Sequence, residues 1–212
     1  MTNEASTGAL TGAAGATLDA SAGHVEHRDD IGSKTGMWLF LFTELLLFGG
    51  LFVIYAVYRS MHEADFHEAA YELNKAMGIA NTYVLLTSSL TMVLSISALQ
   101  RNQVGKSLRW LTATFGLATM FLVIKFFEWS AKYHHHIFPG NEHLKELPHG
   151  EDLFYNLYFM MTGLHGIHVV VGMVVMGVVF FKIRSGSVTA ARHGTLEYTG
   201  LYWHLVDLIW VF

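Results

Sequence analysis

Five long apolar segments, separated by short polar connections, constrain this chain more than any other feature. They cover about residues 37–58, 81–99, 108–129, 153–183 and 198–212. A helix needs about 20 predominantly apolar residues to cross a hydrocarbon core of about 30 Å. The first three segments fit, and the fourth is long enough to tilt or protrude. The sequence therefore predicts an all-α membrane protein, a bundle of five transmembrane helices.

The fifth segment is the shortest. At about 1.5 Å per residue, roughly 15 residues span only about 22 Å. Either its helix begins nearer His193, or the sequence stops at Phe212 before the span is complete, as a truncated sequence would. Both prolines, Pro139 and Pro148, lie in the connection between the third and fourth segments, so no proline interrupts a predicted span.

Composition agrees with a membrane protein. Charged residues make up 14% of the chain, whereas a soluble domain carries about 25%. The net charge of −4 argues against a nucleic-acid-binding surface. Cysteine is absent, which excludes disulfides, thiolate metal ligands, iron–sulfur clusters and cysteine nucleophiles.

Residues 1–32 differ from the rest of the chain. They are rich in Ala, Gly, Ser and Thr, and their apolar residues are too few and too small to bury. This composition predicts a flexible N-terminal tail, which leaves residues 33–212 as the transmembrane domain. The tail lacks the basic start and the apolar run of a secretory signal.

Basic residues predict the orientation of the bundle. One side, which includes the tail, carries eight: Arg28, Lys34, Arg101, Lys106, Arg109, Lys182, Arg184 and Arg192. The opposite side carries four: Arg59, Lys75, Lys132 and Lys145. Because basic residues are enriched on the cytoplasmic side, we expect a cytoplasmic N-terminus and a C-terminus on the outer side.

Ionisable and hydroxyl side chains inside the predicted spans are candidates for functional roles, because such groups are costly in a bilayer. The candidates are Glu44 in the first span, Lys125 and Glu128 in the third, His165 and His168 in the fourth, and His204 and Asp207 in the fifth. The second span carries Ser88, Thr91 and Ser95 on one narrow face, a pattern that favours close helix approach and hydrogen bonds between helices.

Each candidate has a structural and a functional interpretation. Lys125 and Glu128 are three residues apart, so an ion pair on one helix face is favoured over a proton relay. Glu44 is either a proton-handling carboxylate or a structural partner of an imidazole or hydroxyl group. For His165 and His168, interhelical hydrogen bonding is favoured over metal or haem ligation, because a haem held within a membrane bundle usually needs histidines on two facing helices and a transition metal needs three or more ligands.

The His204 and Asp207 stripe, which also contains Glu197 and Gly200, is interpreted as polar packing rather than as a catalytic dyad. No nucleotide-binding motif is present. The residues alone therefore predict a bundle with buried polar contacts, no catalytic residues and no metal or cofactor site of its own. Such a chain is either a subunit of a complex or a small transporter.

Five stretches, one in each predicted span and in matching order, resemble subunit III of the haem–copper oxidases. They are FLFTELLLFGGLF at 40–52, NTYVLLTSSLT at 81–91, LVIKFFEW at 122–129, TGLHGIHVVVG at 162–172 and YWHLVDLIWVF at 202–212. Together they extend over about residues 35–212. The five spans resemble the shorter bacterial form of that family, which lacks the first two of seven spans and with them part of the lipid cleft.

The resemblance implies a subunit of a respiratory terminal oxidase that reduces O2 to water and pumps protons. It implies that this chain is not itself catalytic and that haem and copper are held by partner subunits. The expected partners are oxidase subunit I, subunit II or a small fourth subunit, and membrane lipids, in a bacterial inner membrane. By motif position, Glu44 corresponds to the family's buried carboxylate, and His165 or His168 is its expected imidazole partner.

Other functions stay open. The subunit III of a quinol oxidase and the related accessory subunit of a nitric oxide reductase would share the fold, and this sequence does not distinguish the electron donor or the haem types. A haem b membrane anchor based on His165 or His168 would show a haem spectrum in the isolated chain. A small proton-coupled transporter centred on Glu44 would show uptake by the chain alone.

Overall fold

A computed structural model describes residues 10–71, 75–134, 138 and 149–212, with side chains from residue 31 onward. The described residues form six helices: α1 Leu10–Met61, α2 Glu63–Tyr71, α3 Lys75–Gln100, α4 Val104–His134, α5 His149–Arg184 and α6 Gly194–Val211. Four stretches are long and apolar enough to cross a membrane, namely Ile31–Met61 within α1 and the whole of α3, α4 and α5. The prediction of a helical membrane protein is therefore confirmed.

The predicted fifth span corresponds to α6, which has 18 residues and a length of about 27 Å. The helix begins directly after His193, as the first of the two alternatives for this segment predicted. Helix α6, which carries the polar residues Glu197, His204 and Asp207, is not among these four stretches. Its passage across the membrane, and with it the five-span count and the orientation of the termini, stays a prediction.

The N-terminal region differs from the sequence expectation. Helix α1 begins at Leu10, so residues 10–32 are helical where composition predicted a flexible extension. Alanine has the highest helix propensity, and alanines recur between positions 13 and 22. The chain divides into two compact units, Met1–Leu45 and Leu46–Phe212. Glu44 belongs to the first unit, and the other candidate residues belong to the second.

Helix α2 lies in a stretch that was assigned to a polar connection. Its residues Phe66 and Ala69 are buried and pack with Phe154, Tyr155 and Leu157 of α5. Its Glu63 and Glu68 remain exposed. The apolar positions 66, 69 and 70 have the spacing of a short amphipathic helix, and this signal was missed because the surrounding acidic residues dominate the composition.

The second unit buries several polar side chains beside its apolar core and exposes many large apolar side chains, as expected for a bundle in lipid. Buried polar or charged residues are Asn81, Ser88, Thr91, Ser95, Ser107, Thr114, Lys125, Glu128, His165, Thr199 and Asp207. Exposed large apolar residues include Tyr83, Leu90, Phe126, Phe127, Val174 and Phe181. An exposed apolar surface of this extent is typical of a membrane or protein interface.

Helices α3 and α4 form an antiparallel hairpin held by hydroxyl groups. The Oγ1 atoms of Thr91 and Thr114 are 2.8 Å apart, and Ser95 Oγ donates to the Ser107 carbonyl oxygen at 2.9 Å. Buried positions repeat with alternating steps of four and three residues: Asn81, Leu85, Ser88, Met92, Ser95 and Leu99 on α3, and Ser107, Leu111, Thr114, Ala118, Phe121, Lys125 and Glu128 on α4. The predicted role of the α3 hydroxyl face in helix contact is confirmed.

The hairpin turn is built by the backbone. Asn102 has φ of 59°, and its N–H donates to the Leu99 carbonyl oxygen while Gln103 N–H donates to that of Ala98. These two bonds form a Schellman motif, which closes a helix through a residue in the left-handed region. Gly186, with φ of 78°, ends α5 in the same manner.

Two glycines let α6 approach its neighbours closely. A Cβ atom at Gly172 of α5 would lie 2.9 Å from Trp203 Cε3 of α6. A Cβ atom at Gly200 of α6 would lie 2.6 Å from Ile96 Cδ1 of α3. Small residues at such contacts allow the helix backbones to approach, and this packing replaces the hydrophobic effect, which does not act between helices in lipid.

A pair of Gly→Ala substitutions on α5 tests this packing. Gly172→Ala should lower the denaturation midpoint of the chain in detergent, because the methyl group meets the fully buried Trp203 and overpacking costs about 1–3 kcal/mol. The control Gly177→Ala has no atom within 4 Å of the new Cβ, so it should leave the midpoint unchanged or raise it, since Ala is a better helix former than Gly. Equal effects of the two substitutions would contradict the close α5–α6 contact.

Candidate functional site

An ion pair is buried between α4 and α5. Lys125 Nζ donates hydrogen bonds to Glu128 Oε2 at 3.1 Å and to Tyr158 Oη at 3.0 Å. The Tyr158 hydroxyl also donates to Glu128 Oε1. The pair predicted from the spacing of Lys125 and Glu128 is therefore present, and Tyr158 joins it to the neighbouring helix.

Aromatic rings enclose the ammonium group. Lys125 Nζ lies 4.7 Å from the Trp210 ring centroid and 5.1 Å from that of Tyr158. The Trp210 ring in turn contacts Phe121, with centroids 4.8 Å apart. Cation–π attraction strengthens when water is excluded, so the rings of α5 and α6 stabilise the charge that α4 provides.

His165 and His168, in the middle of α5, have different surroundings. The His165 ring contacts Phe121 at 5.6 Å and Trp210 at 5.0 Å. Among the residues that the structure describes, neither ring nitrogen of His165 has a hydrogen-bond partner. His168 Nδ1 lies 2.8 Å from the Leu164 carbonyl oxygen, and its ring contacts Phe48 edge-on at 5.1 Å. The two imidazoles thus make separate contacts.

The polar stripe of α6 contacts α3 in the second unit. His204 Nδ1 and Ser89 Oγ are 2.6 Å apart. Trp203 Nε1 donates to Ser88 Oγ at 3.1 Å, and Asp207 Oδ2 lies 3.5 Å from the same Ser88 oxygen.

Glu197, near the start of α6, accepts a hydrogen bond from Gln100 Nε2 at 2.9 Å. The same carboxylate oxygen lies 3.1 Å from His193 Nε2. The stripe therefore joins α6 to α3 over several turns, as polar packing would.

Glu44 is half-buried in the first compact unit. Its predicted partners, His165 and His168, belong to the second unit, so the carboxylate–imidazole pairing stays a prediction. Within the described part of the chain, no three histidine or carboxylate side chains are grouped so that they could hold a metal ion.

Sequence reasoning missed several residues of these contacts, among them the aromatic residues Tyr158, Phe121, Trp203 and Trp210. Aromatic residues in a membrane protein usually indicate interfacial anchors, and this expectation concealed their interior role. A usable signal existed for Tyr158, which precedes His165 by seven residues and Gly172 by fourteen. Positions seven residues apart lie on the same face of a packed helix, so Tyr158 was predictable as an interior residue.

A single and a double substitution test the ion pair through the stability of the chain. Lys125→Met should destabilise the chain by about 3–5 kcal/mol, because removing one partner leaves an uncompensated buried charge. The double variant Lys125→Met/Glu128→Met should recover most of that loss, because both charges are then absent. Denaturation of the purified chain in detergent measures both. If the double variant is less stable than Lys125→Met alone, the Glu128 carboxylate does not need the Lys125 ammonium group to compensate its charge.

The fold and these contacts define a helical membrane protein whose buried polar side chains join its helices to one another. Comparison with known proteins identifies the family. The sequence model of the cytochrome c oxidase subunit III family matches residues 16–212. This chain therefore belongs to the cytochrome c oxidase subunit III family, and the resemblance found in the five motifs is confirmed.

Individual relatives come from two kinds of oxidase. Cytochrome c oxidase subunit 3 of Thermostichus vulcanus is 30% identical over 179 residues, covering 83% of this chain and 81% of the relative. Cytochrome bo(3) ubiquinol oxidase subunit 3 of Pseudomonas aeruginosa is 30% identical over 194 residues, covering 88% and 85%. Cytochrome c oxidase subunit 3 of a Synechocystis species is 29% identical over 206 residues, covering 97% and 83%.

Proposed function

We propose that this chain acts as the non-redox subunit III of a proton-pumping respiratory oxidase in a bacterial inner membrane. It stabilises the catalytic subunit during O2 reduction and supports proton uptake. The observation that carries the proposal is the family match over residues 16–212, which includes all five motifs. Haem and copper would be held by partner subunits, with subunit I as the main contact and subunit II or a small fourth subunit as a further one.

The chemistry of the interior supports a role without redox centres. The imidazole of His165 contacts the rings of Phe121 and Trp210, and that of His204 lies 2.6 Å from the Ser89 hydroxyl. The buried charges of Lys125 and Glu128 compensate each other. These groups join helices, which is what a supporting subunit requires of its interior.

Two electron donors of the complex, cytochrome c and a quinol, are compatible with this chain. Relatives named for a cytochrome c oxidase and for a ubiquinol oxidase are equally similar, at 30% identity. A subunit that does not handle electrons has no site that depends on the donor. The partner subunit II decides between them, since a dinuclear copper motif in subunit II indicates cytochrome c.

Purification of the tagged chain in mild detergent tests the assembly. We expect it to bring down an oxidase subunit I that carries haem and copper, while the isolated chain shows no haem absorption. A haem Soret band in the isolated chain would contradict the non-redox role. Recovery of the chain without any oxidase subunit would contradict membership of the complex. Absence of solute uptake by the chain alone in vesicles distinguishes it from a transporter.

Glu44 is the residue we propose to couple this subunit to the activity of the complex. Glu44→Ala should leave the haem content of the purified oxidase unchanged. It should weaken retention of the subunit or shorten the active life of the complex during turnover, because the only carboxylate of the predicted first span is lost. Haem spectra, subunit stoichiometry and the time course of O2 consumption measure these effects.

Two matched variants make the test specific. Glu68→Ala removes an exposed carboxylate of α2 and should change neither assembly nor lifetime. Glu44→Gln keeps the size and hydrogen-bonding capacity of the side chain, so it should resemble the wild type if the role is structural and Glu44→Ala if the role requires a proton. If Glu44→Ala is indistinguishable from the wild type in assembly, proton pumping and lifetime, the proposed role of Glu44 is wrong.

A further inference from the structure

One end of the bundle in the second compact unit is strongly basic. Helix α3 ends there and α4 begins, α5 ends beside the start of α4, and the hydrogen bond between Gln100 and Glu197 places the start of α6 at the same end. Residues 95–112 and 176–200, which form this end, contain a single carboxylate, that of Glu197. They contain six basic side chains: Arg101, Lys106, Arg109, Lys182, Arg184 and Arg192. This end therefore has an excess of positive charge.

A groove of about 210 Å³ lies between α4 and α5, next to the basic end. Its floor is formed by the buried side chains of Leu111 and Met176, and its rims by the exposed rings of Phe115 and Phe181. Gly177 keeps the floor open, because a Cβ atom at this position would meet nothing within 4 Å. The groove therefore opens to the exposed apolar surface of the bundle and has room for a narrow apolar chain.

Two arginines flank the mouth of this groove, which is the end of the groove nearest the basic residues. Arg109 precedes Thr112 of α4 by three residues, and Arg184 follows Phe181 of α5 by three residues. Residues three apart share a helix face, and three residues correspond to about 4.5 Å along the helix axis. Both arginines are exposed, and they extend from neighbouring helices slightly less than one turn beyond the groove.

The charges of Arg109 and Arg184 are available to a ligand. Among the side chains that the structure describes, neither guanidinium group has an acidic partner, since the salt bridges there join His62 to Asp65, Lys125 to Glu128 and His193 to Glu197. The axes of packed helices are about 8–10 Å apart, a gap that two arginine side chains can close around one phosphate group. Arginine binds phosphate through paired N–H donors, and basic pockets between transmembrane helices bind anionic lipid headgroups.

The order of these features along the helices matches a phospholipid. The Thr112 hydroxyl, the polar group of the groove wall, donates to the Leu108 carbonyl oxygen at 2.9 Å, so the wall suits an acyl chain. A free phosphate would use the mouth alone, and a transmembrane helix would need carboxylates to compensate the two arginines. A negatively charged headgroup is favoured over a zwitterionic one, because the amine of the latter would meet a basic surface.

We propose that the groove between α4 and α5 binds one acyl chain of an anionic phospholipid, whose phosphate is held between Arg109 and Arg184. The site goes beyond the proposed role in an oxidase, since it requires only that α4 and α5 cross a membrane. The bound lipid joins α4 to α5 near the basic end, as the cluster of Lys125, Glu128 and Tyr158 joins the same two helices nearer their other end.

Lipid binding by two matched double variants is the first test. The tagged chain, with the subunits that copurify, is titrated in detergent with phosphatidylglycerol or phosphatidylcholine of identical acyl chains, and native mass spectrometry measures the bound lipid. The wild type should prefer phosphatidylglycerol. Arg109→Gln/Arg184→Gln should reduce that preference by about 30-fold, because two basic contacts with the headgroup are lost.

The control Arg101→Gln/Arg192→Gln removes the same charge from the same end of the bundle, at exposed positions outside the groove. It should change the preference much less, because such charges act on the lipid only through screened attraction. An equal loss in the two double variants would show a general effect of surface charge and overturn the site. A wild type without preference for phosphatidylglycerol would overturn it as well.

Filling the groove is the second test. Gly177→Leu places a side chain where the acyl chain lies and keeps both arginines, so it should also weaken the binding of phosphatidylglycerol. Val178→Leu enlarges the neighbouring exposed residue of α5, which is not part of the groove wall, and should leave binding unchanged. Unchanged binding by Gly177→Leu would show that the headgroup alone is recognised and would overturn the acyl-chain site.

Direct observation of the wild type is the third test, and it does not depend on the folding of any variant. A cryo-electron microscopy map in nanodiscs of phosphatidylglycerol should show a headgroup between Arg109 and Arg184 and a chain of lipid density in the groove. An empty groove, or a helix of another subunit in it, would overturn the proposal. The site belongs to this chain, so absence of oxidase subunits from the sample would contradict the proposed function and leave this result readable.

Discussion

The second unit of this chain depends on polar and small side chains at its helix contacts. In hydrocarbon, apolar side chains gain little by leaving lipid for another helix, so close packing and hydrogen bonds must hold the helices together. The hydroxyl pairs of α3 and α4, the glycines beneath Trp203 and Ile96, and the Lys125–Glu128–Tyr158 cluster all meet this requirement. Each joins a different pair of helices.

The buried charges have a cost as well as a benefit. An ammonium and a carboxylate in a low-dielectric interior stabilise the fold only when they are paired and hydrogen-bonded. Lys125 and Glu128 satisfy each other across one helical turn, and the aromatic rings around Lys125 provide additional attraction. Tyr158 extends the pair to α5, so a contact within one helix becomes a contact between helices. For the neighbouring His165, no such partner is found among the residues that the structure describes.

Much of the architecture was predictable from local patterns. The apolar segments gave the helices, because a spanning helix must present about 20 apolar residues to lipid. The heptad-like positions of Ser88 and Ser95 predicted a contact face, and the spacing of Lys125 and Glu128 predicted their pairing. Helix α2 was missed because its apolar face has only a few residues. The helical start at Leu10 was missed because alanine-rich segments suit both tails and helices.

The functional contacts were less predictable than the helices. Which residues meet across helices depends on rotation and register, and neither is encoded in one segment alone. Tyr158 and Trp210 are unremarkable among the aromatic residues of the sequence, and only packing placed them around Lys125. The His204 and Ser89 contact likewise joins residues 115 positions apart.

The sequence by itself determined the membrane class, the approximate helices and, through five ordered motifs, the oxidase subunit III family. Hydropathy and motif order are properties of the chain, so they need no tertiary information. The tertiary structure decided which polar groups are satisfied and which are not. It joined Lys125 to Tyr158 by a hydrogen bond and placed the His165 ring against aromatic rings. These outcomes depend on distances between helices, which hydrogen-bond geometry and packing fix only in the folded bundle.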